Sequence, residues 1–301
     1  MADPGEARAG TLYVVATPIG NLEDVTLRAV RVLGEVDLVA AEDTRRTRLL
    51  LDHLGLHKRL VSYYDAVESS RAPELVRRLL AGESIALVSD AGTPLVADPG
   101  FRLVRAASEA GVAVVSLPGA SAPLALLACS GMPTVRFSFV GFLPPRSAAR
   151  RREIAALAGR TDTLVFFESP RRLVAALADL AAILGPRAAV VGRELTKKFE
   201  EVVRGDLSEL TRRFAERAEK ASLKGEIAIA VAGVSDDVEP SNGMDAARVD
   251  AANAVAPTLD ERLLRHLGAG ESVSDAARAV AAETGLARRN VYRRALELRG
   301  R

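Results

Sequence analysis

Apolar residues in this chain come in short blocks, each closed by turn-forming residues. Residues 11 to 16, TLYVVA, form one such block, ended by Thr17, Pro18, Ile19, Gly20 and Asn21, which predicts a strand entering a loop. After Asn21 the apolar positions Leu22, Val25, Leu27 to Ala29, Val32 and Leu33 recur at helical spacing, Gly34 ends the pattern, and Val36 to Ala41 resumes as a strand. The order is βαβ. Ile85 to Val88 closing on Ser89 to Pro94, a helix over Phe101 to Ala110, and Val112 to Leu117 closing on Pro118 to Ala120 repeat it. Strands that read as continuous apolar runs predict a parallel sheet covered on both faces.

The segment GFLPPRSAARRR, residues 141 to 152, opens with Gly and a Pro pair and turns basic, so a domain boundary is expected there. Beyond it, Thr163 to Phe167, Ala188 to Val191 and Ile227 to Ala232 read as strands and Arg171 to Leu184 as a helix, giving a second α/β domain. Residues 235 to 257 are polar and Ala-rich and read as a linker. From Leu259 to Leu298 the pattern is helical, with Ser274-Asp275 as a cap, a turn at Gly285 and a basic second helix, in the manner of a helix-turn-helix. The expected organisation is a disordered stretch over 1–10, α/β domains over 11–140 and 141–234, a linker over 235–257 and a helical module over 258–301.

Composition narrows the function classes. With 301 residues, 49% hydrophobic and 27% charged, the chain is neither a disordered polymer nor a small scaffold needing staples. Forty-one basic against 39 acidic residues leave +2, so any basic surface is local. One cysteine, Cys129, closes no intrachain disulfide, and His53, His57 and His266 lack metal-ligand or triad spacing, so no metal is expected. The first ten residues hold no apolar stretch and no apolar run reaches about 18 residues, so the expected location is cytoplasmic, with no membrane.

In a doubly wound sheet, ligands sit where strand carboxyl ends meet, so the loops Thr17 to Leu22, Glu42 to Arg48, Ser89 to Asp98 and Leu117 to Ala122 are the candidates for a pocket. The first loop lacks GxGxxG and no GxxxxGK[ST] occurs, which argues against nicotinamide and nucleoside triphosphate cofactors. SDAGTP and LPGASA set small residues beside hydroxyls, a better match to an adenosyl group and an amino-acid carboxylate; sharp turns alone would also use these residues. In AEDTRRTRLL, Glu42 or Asp43 could meet a ribose hydroxyl while Arg45, Arg46 and Arg48 meet phosphates, although Asp43 is equally suited to cap a helix. FFESPRR offers Glu168 with Arg171 and Arg172, and GRELTKKFEE and LKGEIAIA add Arg193, Glu194, Lys197, Lys198, Lys224 and Glu226, all also open to structural pairing. In the tail, Arg288, Arg289, Arg293 and Arg294 could grip a nucleic-acid backbone or simply face solvent.

Taken in order, LYVVATPIGNLEDVTLRAV, VDLVAAEDTRRTRLLLDHLG, IALVSDAGTPLVADPGFRLV, VVSLPGASAPLALLACSG, FVGFLPP, LVFFESPRRL, VGRELTKKFEEV and KGEIAIAV closely resemble the ribosomal RNA small subunit methyltransferase I family, of the tetrapyrrole methylase superfamily. The resemblance spans about residues 11 to 232, with the family's helical C-terminal segment also recognisable. It implies two α/β domains of tetrapyrrole-methylase type with the cofactor in the cleft between them, a small C-terminal helical module, and a homodimer. The implied activity is S-adenosylmethionine-dependent 2′-O-methylation of a cytidine ribose in 16S ribosomal RNA near the decoding centre, within the small ribosomal subunit. It places S-adenosylmethionine against Pro18, Ser89, Asp90, Ala91, Val96, Ser121, Ala122, Phe167 and Leu195. Where family members commonly carry His and Asn before a Glu, this chain has SYYDAVE, so Asp65 or Glu68 would act if that loop takes part.

Methyl transfer to a hydroxyl needs alignment and a proton acceptor. Asp43 is the first candidate, with Glu42, Glu168 and Lys197 after it, and Asp43→Asn is expected to abolish turnover. Arg45, Arg46, Arg48, Arg171, Arg288, Arg289 and Arg293 would hold RNA in a salt-sensitive manner. Two rivals are a methylase of a small tetrapyrrole-like substrate and a nucleic-acid-binding metabolite sensor; the basic loops weigh against the first, and motifs outside the tail against the second.

Overall fold

The structure, a computed structural model, describes residues 10–234, 259–269, 271–284 and 288–299. It divides into two compact units, residues 1–236 and 237–301. Of the expected disordered start (1–10) all but Gly10, and the whole of the expected linker (235–257), lie outside the described residues.

The first unit holds two five-stranded sheets. Strands β1 (Thr11–Val15), β2 (Leu38–Ala41), β3 (Leu60–Ser62), β4 (Ile85–Val88) and β5 (Ala113–Leu117) form an all-parallel sheet in the order β3-β2-β4-β1-β5. Its helices α1 (Leu27–Glu35), α2 (Thr44–His53), α3 (Asp65–Leu80) and α4 (Phe101–Glu109) cover both faces. On one, Leu12, Ile85 and Leu87 pack with Leu75, Leu79 and Leu103; on the other, Tyr13, Val39 and Val88 pack with Val32, Leu33 and Leu51. Burial on both sides is why these strands read as unbroken apolar runs.

Details differ from expectation. The helical pattern after Asn21 breaks into a 3-10 turn, Leu22–Asp24, and a separate α1, because the Thr26 side chain accepts a hydrogen bond from the Ala29 amide and starts a new helix there. SYYDAVE is no loop: Asp65 opens α3, and buried Glu68 accepts hydrogen bonds from Tyr63 and from the Gly100 and Arg102 amides, so it closes the start of α4.

Helix α5 (Ala122–Ser130) leads to the second sheet, built from β6 (Phe137–Phe142), β7 (Thr163–Glu168), β8 (Ala188–Arg193), β9 (Glu201–Asp206) and β10 (Ile227–Val231) in the order β6-β7-β10-β8-β9. Only β6 and β7 are parallel; β10 runs antiparallel between β7 and β8. The sheet starts at Phe137, ahead of the expected break at 141, because FSFVGF already pairs along β7. One face is covered by α6 (Ser147–Ala156), α7 (Leu173–Leu184) and α8 (Leu207–Lys220), while on the other Leu126 of α5 packs with Ile19, Val190, Leu195, Ala228 and Ala230.

The basic run after Pro145 is α6, and it is not wholly a solvated face. Arg150 is buried, donating from Nε to Asp179 of α7 at 2.8 Å, with Arg151 on the other Asp179 oxygen at 2.9 Å. Asp179→Ala is expected to lower stability by about 3–5 kcal/mol in chemical denaturation, because it strands a buried guanidinium.

In the second unit three helices, Leu259–Gly268, Val273–Thr284 and Arg288–Arg299, share a core of Leu263, Val273, Ala277, Val280, Val291 and Ala295. The middle helix is capped by Ser272, whose hydroxyl oxygen accepts from the Asp275 amide at 3.2 Å, rather than by Ser274-Asp275. The expected turn at Gly285 lies outside the described residues. Among the described residues no helix is long and apolar enough to cross a membrane.

Candidate functional site

Because the first sheet is parallel, the loops after β1, β2, β4 and β5 gather at one edge. In the second sheet β10 is antiparallel to its neighbours, so its start lies beside the ends of β7 and β8, with Ile227 paired to both Glu168 and Arg193. These ends enclose a cavity of about 350 Å³. Ile19, Glu42, Asp90, Val96, Asp98 and Ser121 line it from the first half, and Phe167, Leu195 and Gly225 to Ala228 from the second.

Two loops of matching geometry push an apolar side chain into it. Leu95 and Ala97, at φ 74° and 65°, flank Val96; Glu194 and Thr196, at φ 52° and 66°, flank Leu195. These are the non-glycine residues with positive φ among the described residues, and each conformation costs about 1 kcal/mol or more. Strain of this kind persists where surrounding contacts fix it. In the first loop, Thr17 and Gly92 exchange backbone hydrogen bonds at 2.8 and 3.0 Å; in the second, the Thr196 hydroxyl accepts from the Asn21 amide at 3.1 Å, joining the halves.

The cavity is apolar along one side and acidic at one end. Ile19, Val96, Ala122, Phe167, Leu195 and Ala228 make the apolar wall, with Phe167 held edge-on by Phe139 at a centroid distance of 4.9 Å. Glu42, Asp90 and Asp98 make the acidic end. Burial, and next the Glu42 charge, pushes the Asp98 carboxyl up to about 6; burial also raises Glu42 against the hydrogen bond it accepts from the Asp90 amide. Among the described residues no cluster of three or more His, Cys, Asp or Glu is arranged to hold a metal.

Of the residues expected to bind cofactor, Asp90, Ala91, Val96, Ser121, Ala122, Phe167 and Leu195 line this cavity, while Pro18 and Ser89 line a smaller neighbour. The four proposed proton acceptors separate. Glu42 lines the cavity. Asp43 does not: its carboxylate caps α2, accepting from the Arg45 amide at 2.8 Å and pairing with the Arg45 guanidinium at 2.6 Å, and these hydrogen bonds hold it down to about 2. Asp43, the first of the four candidates, is therefore placed as the cap of α2 and outside the lining of the cavity. Asn caps equally well, so Asp43→Asn is expected to keep turnover within a few-fold in a methyl-transfer assay, whereas loss of turnover would restore Asp43.

Glu168 borders the cavity, but by strand alternation its side chain shares the side of Leu164 and Phe166, in the helix-covered core. There Oε1 accepts from the Ser169 amide at 2.7 Å and pairs with Arg172 at 2.6 Å, while Oε2 is buried with no hydrogen-bond partner among the described residues. It is an anchor for the turn into α7. Lys197 pairs with Glu194 at 2.9 Å and Glu226 at 3.1 Å; burial alone would lower its ammonium, but these bonds outweigh it and hold it above the usual range.

Arg45, Arg46, Arg48 and Arg171 are exposed, as are Arg289 and Arg293 in the second unit; the Arg288 side chain lies outside the described residues. Arg46 reaches Asp90, Nε to Oδ2, at 3.5 Å. Sequence reasoning did not single out Asp98, although its loop was marked. Its only local sign is an acidic residue ahead of Pro99-Gly100, and its surroundings come from β2 and α3.

Residues 11–211 match the tetrapyrrole (corrin/porphyrin) methylases, and residues 254–299 match the RsmI C-terminal HTH domain. The ribosomal RNA small subunit methyltransferase I of Micromonospora olivasterospora is 49% identical over 95% of this chain and 87% of its own. That of Mesorhizobium japonicum is 44% identical over 98% and 95%. Among solved structures, diphthine synthase superimposes with a TM-score of 0.56 at 18% identity, over 74% of this chain and 90% of its own. Uroporphyrin-III C-methyltransferase from Thermus thermophilus, complexed with S-adenosyl homocysteine, gives 0.52 at 23% identity, over 73% and 96%.

Proposed function

Since the chain belongs to the ribosomal RNA small subunit methyltransferase I family, within the tetrapyrrole methylases, we propose that it methylates the 2′-hydroxyl of a cytidine ribose in 16S ribosomal RNA near the decoding centre. It is an S-adenosylmethionine-dependent methyltransferase acting on ribosomal RNA. The observation that carries the reading is the cavity, apolar on one wall and acidic at one end, with exposed arginines of α2 beside it.

The cavity suits S-adenosylmethionine in its donor set. The apolar wall fits an adenine between Ile19, Val96, Phe167 and Leu195, and the carboxylates of Glu42, Asp90 and Asp98 offset the cationic sulfonium and ammonium. When bound, the cofactor supplies an electrophilic methyl group. Asp98 holds the attacking hydroxyl and takes its proton: a carboxyl near 6 is mostly ionised at neutral pH yet more basic than a free aspartate. Glu42, in the same acidic end, keeps Asp98 raised. Arg45, Arg46, Arg48 and Arg171, with Arg288, Arg289 and Arg293 of the helical module, hold phosphates of an RNA within the small subunit. The protein acts as a homodimer.

The test is transfer of labelled methyl from S-adenosylmethionine to small subunits lacking the modification, with mass-spectrometric mapping of the product. A 2′-O-methylcytidine at one decoding-centre position is expected, in a reaction that weakens steeply with salt. A methyl group on a base, or transfer only to a small tetrapyrrole, would overturn the reading.

A further inference from the structure

Helix α4 has no cap of its own. Its first turn leaves backbone amides without partners inside the helix, and the residue before it, Gly100, has no side chain to accept from them. Glycine is required there: φ is 139°, and a Cβ would lie 2.9 Å from both Leu87 Cδ2 and Leu95 Cδ1. The cap comes from α3 instead. Glu68 Oε1 accepts from the Gly100 amide at 2.9 Å, the Arg102 amide at 3.1 Å and the Tyr63 hydroxyl at 3.1 Å, while Oε2 lies 3.6 Å from Arg102 Nε. We propose that Glu68 is a positioning residue for methyl transfer: by capping α4 from the neighbouring helix, it holds the joint at Gly100 and with it the placement of Val96 and Asp98 at the cavity. The proposal rests on the reading of Asp98 above and deepens it.

Three observations lead from the cap to the cavity. First, the segment between β4 and α4 is weakly tied within itself. The Val96 amide donates to the Thr93 carbonyl, and the Thr93 hydroxyl to the Ala120 carbonyl, both at a long 3.3 Å. Leu95 and Ala97 are nevertheless held at positive φ, so contacts at the ends of the segment have to fix it: Thr17 with Gly92 at one, Glu68 with Gly100 at the other. Second, a movement of Gly100 is passed on. Pro99 fixes its own φ and restricts Asp98 before it, and the Leu95 side chain lies against Gly100, so a shift of the joint reaches Asp98 along the chain and Val96 through Leu95. Third, the anchor is itself built in. Glu68 is 8% exposed, and Tyr63 is fully buried in the core that includes Leu87 and Leu103, with Leu95 packed against it. Burial, and next the Glu68 charge, holds the Tyr63 hydroxyl above the ordinary phenol range, so it stays a donor. The group so placed is Asp98, which faces Glu42 from beyond β2, Ser89 and Asp90 from beyond β4, and Asp65 from the start of α3.

The experiment compares the full-length wild type with Glu68→Ala, Glu68→Gln, Glu68→Asp and Arg102→Ala. Methyl transfer to small subunits lacking the modification is followed from about pH 5.5 to 8, and hydrogen exchange of residues 93–104 is measured in the cofactor-free protein. Glu68→Ala is expected to lower kcat about thirtyfold or more with KM for subunits within about threefold, because the arginines that meet RNA are untouched while the reacting carboxylate is misplaced. Its remaining rate should stay level down to about pH 5.5, where the wild type falls, because Asp98 leaves the buried, acidic setting that raises it, and exchange in the segment should rise about tenfold or more. Glu68→Gln keeps an acceptor oxygen for both amides and should recover kcat to within about threefold together with the acid limb near pH 6. Glu68→Asp keeps the charge but is one methylene short, so it carries the test if the alanine variant does not fold, and it must show the same loss of rate and of the acid limb. Arg102→Ala removes an exposed side chain and leaves the amide, and should match the wild type. A loss of rate that leaves the acid limb near 6, one that Glu68→Gln does not recover, or an unchanged rate in Glu68→Ala each overturns the proposal. Wild-type turnover with no fall near pH 6 would instead remove the Asp98 assignment beneath it.

Discussion

Asp98→Asn is expected to lower kcat by two orders of magnitude or more while making the protein more stable at pH 7. The loss follows from removing the proposed proton acceptor, whose contribution to such steps is about 10²–10⁴-fold. The gain follows from linkage. With its folded carboxyl near 6, above the ordinary aspartate value, the native state holds this proton more tightly than the unfolded chain. The stability this contributes is full below about pH 4, falls as pH rises toward 6, and is absent at neutral pH, where an ionised carboxylate sits among Glu42 and Asp90. Asparagine removes that repulsion. Because the group is partly open to solvent, the gain is about 1 kcal/mol, or a Tm rise of about 2–4 °C. Wild-type turnover should fall as pH drops through about 6. A variant that keeps its rate, or one that melts lower, would refute the assignment.

Gly20→Ala is expected to weaken cofactor binding about tenfold or more and to lower Tm. A Cβ at this position would lie 2.3 Å from Lys197 Cγ, 2.8 Å from Thr196 Oγ1 and 3.1 Å from the Leu195 carbonyl oxygen. The lysine chain can swing aside, but Thr196 is already held at positive φ and the Leu195 carbonyl belongs to the strained loop that presents Leu195 to the cavity. The methyl group therefore pushes the two halves apart at the Asn21–Thr196 hydrogen bond. Isothermal titration with S-adenosylmethionine, beside a thermal melt, reads both effects; unchanged affinity would mean the two loops move independently.

How far the sequence reached can be seen in these same residues. β1, β4 and β10 stand out as apolar runs because both of their faces are buried, and the turn residues that close the first two are the ones around the cavity. β3 and α3 do not stand out: LVS is a three-residue edge strand, and α3 carries Ser69, Ser70 and an internal Pro73 that blur the helical period. Whether an acidic residue caps, pairs or reacts was not legible at all. Asp43 and Glu42 are neighbours in AEDTR, yet one turns into its own helix start and the other toward Asp90, and that difference depends on a loop almost fifty residues away.

The central place of β10 also sets an order of assembly on the growing chain. The first sheet is complete once Leu117 is made, because β1 to β5 all precede it. The second is not: β7 and β8, neighbours in sequence, have no contact as strands until residues 227–231 arrive to lie between them. Until then each carries an unpaired edge, a template for pairing with other chains. A ribosome that releases the chain before Val231 therefore leaves a finished first sheet attached to two open edges, and the cavity, which needs Ile227 and Ala228 for its far wall, closes last.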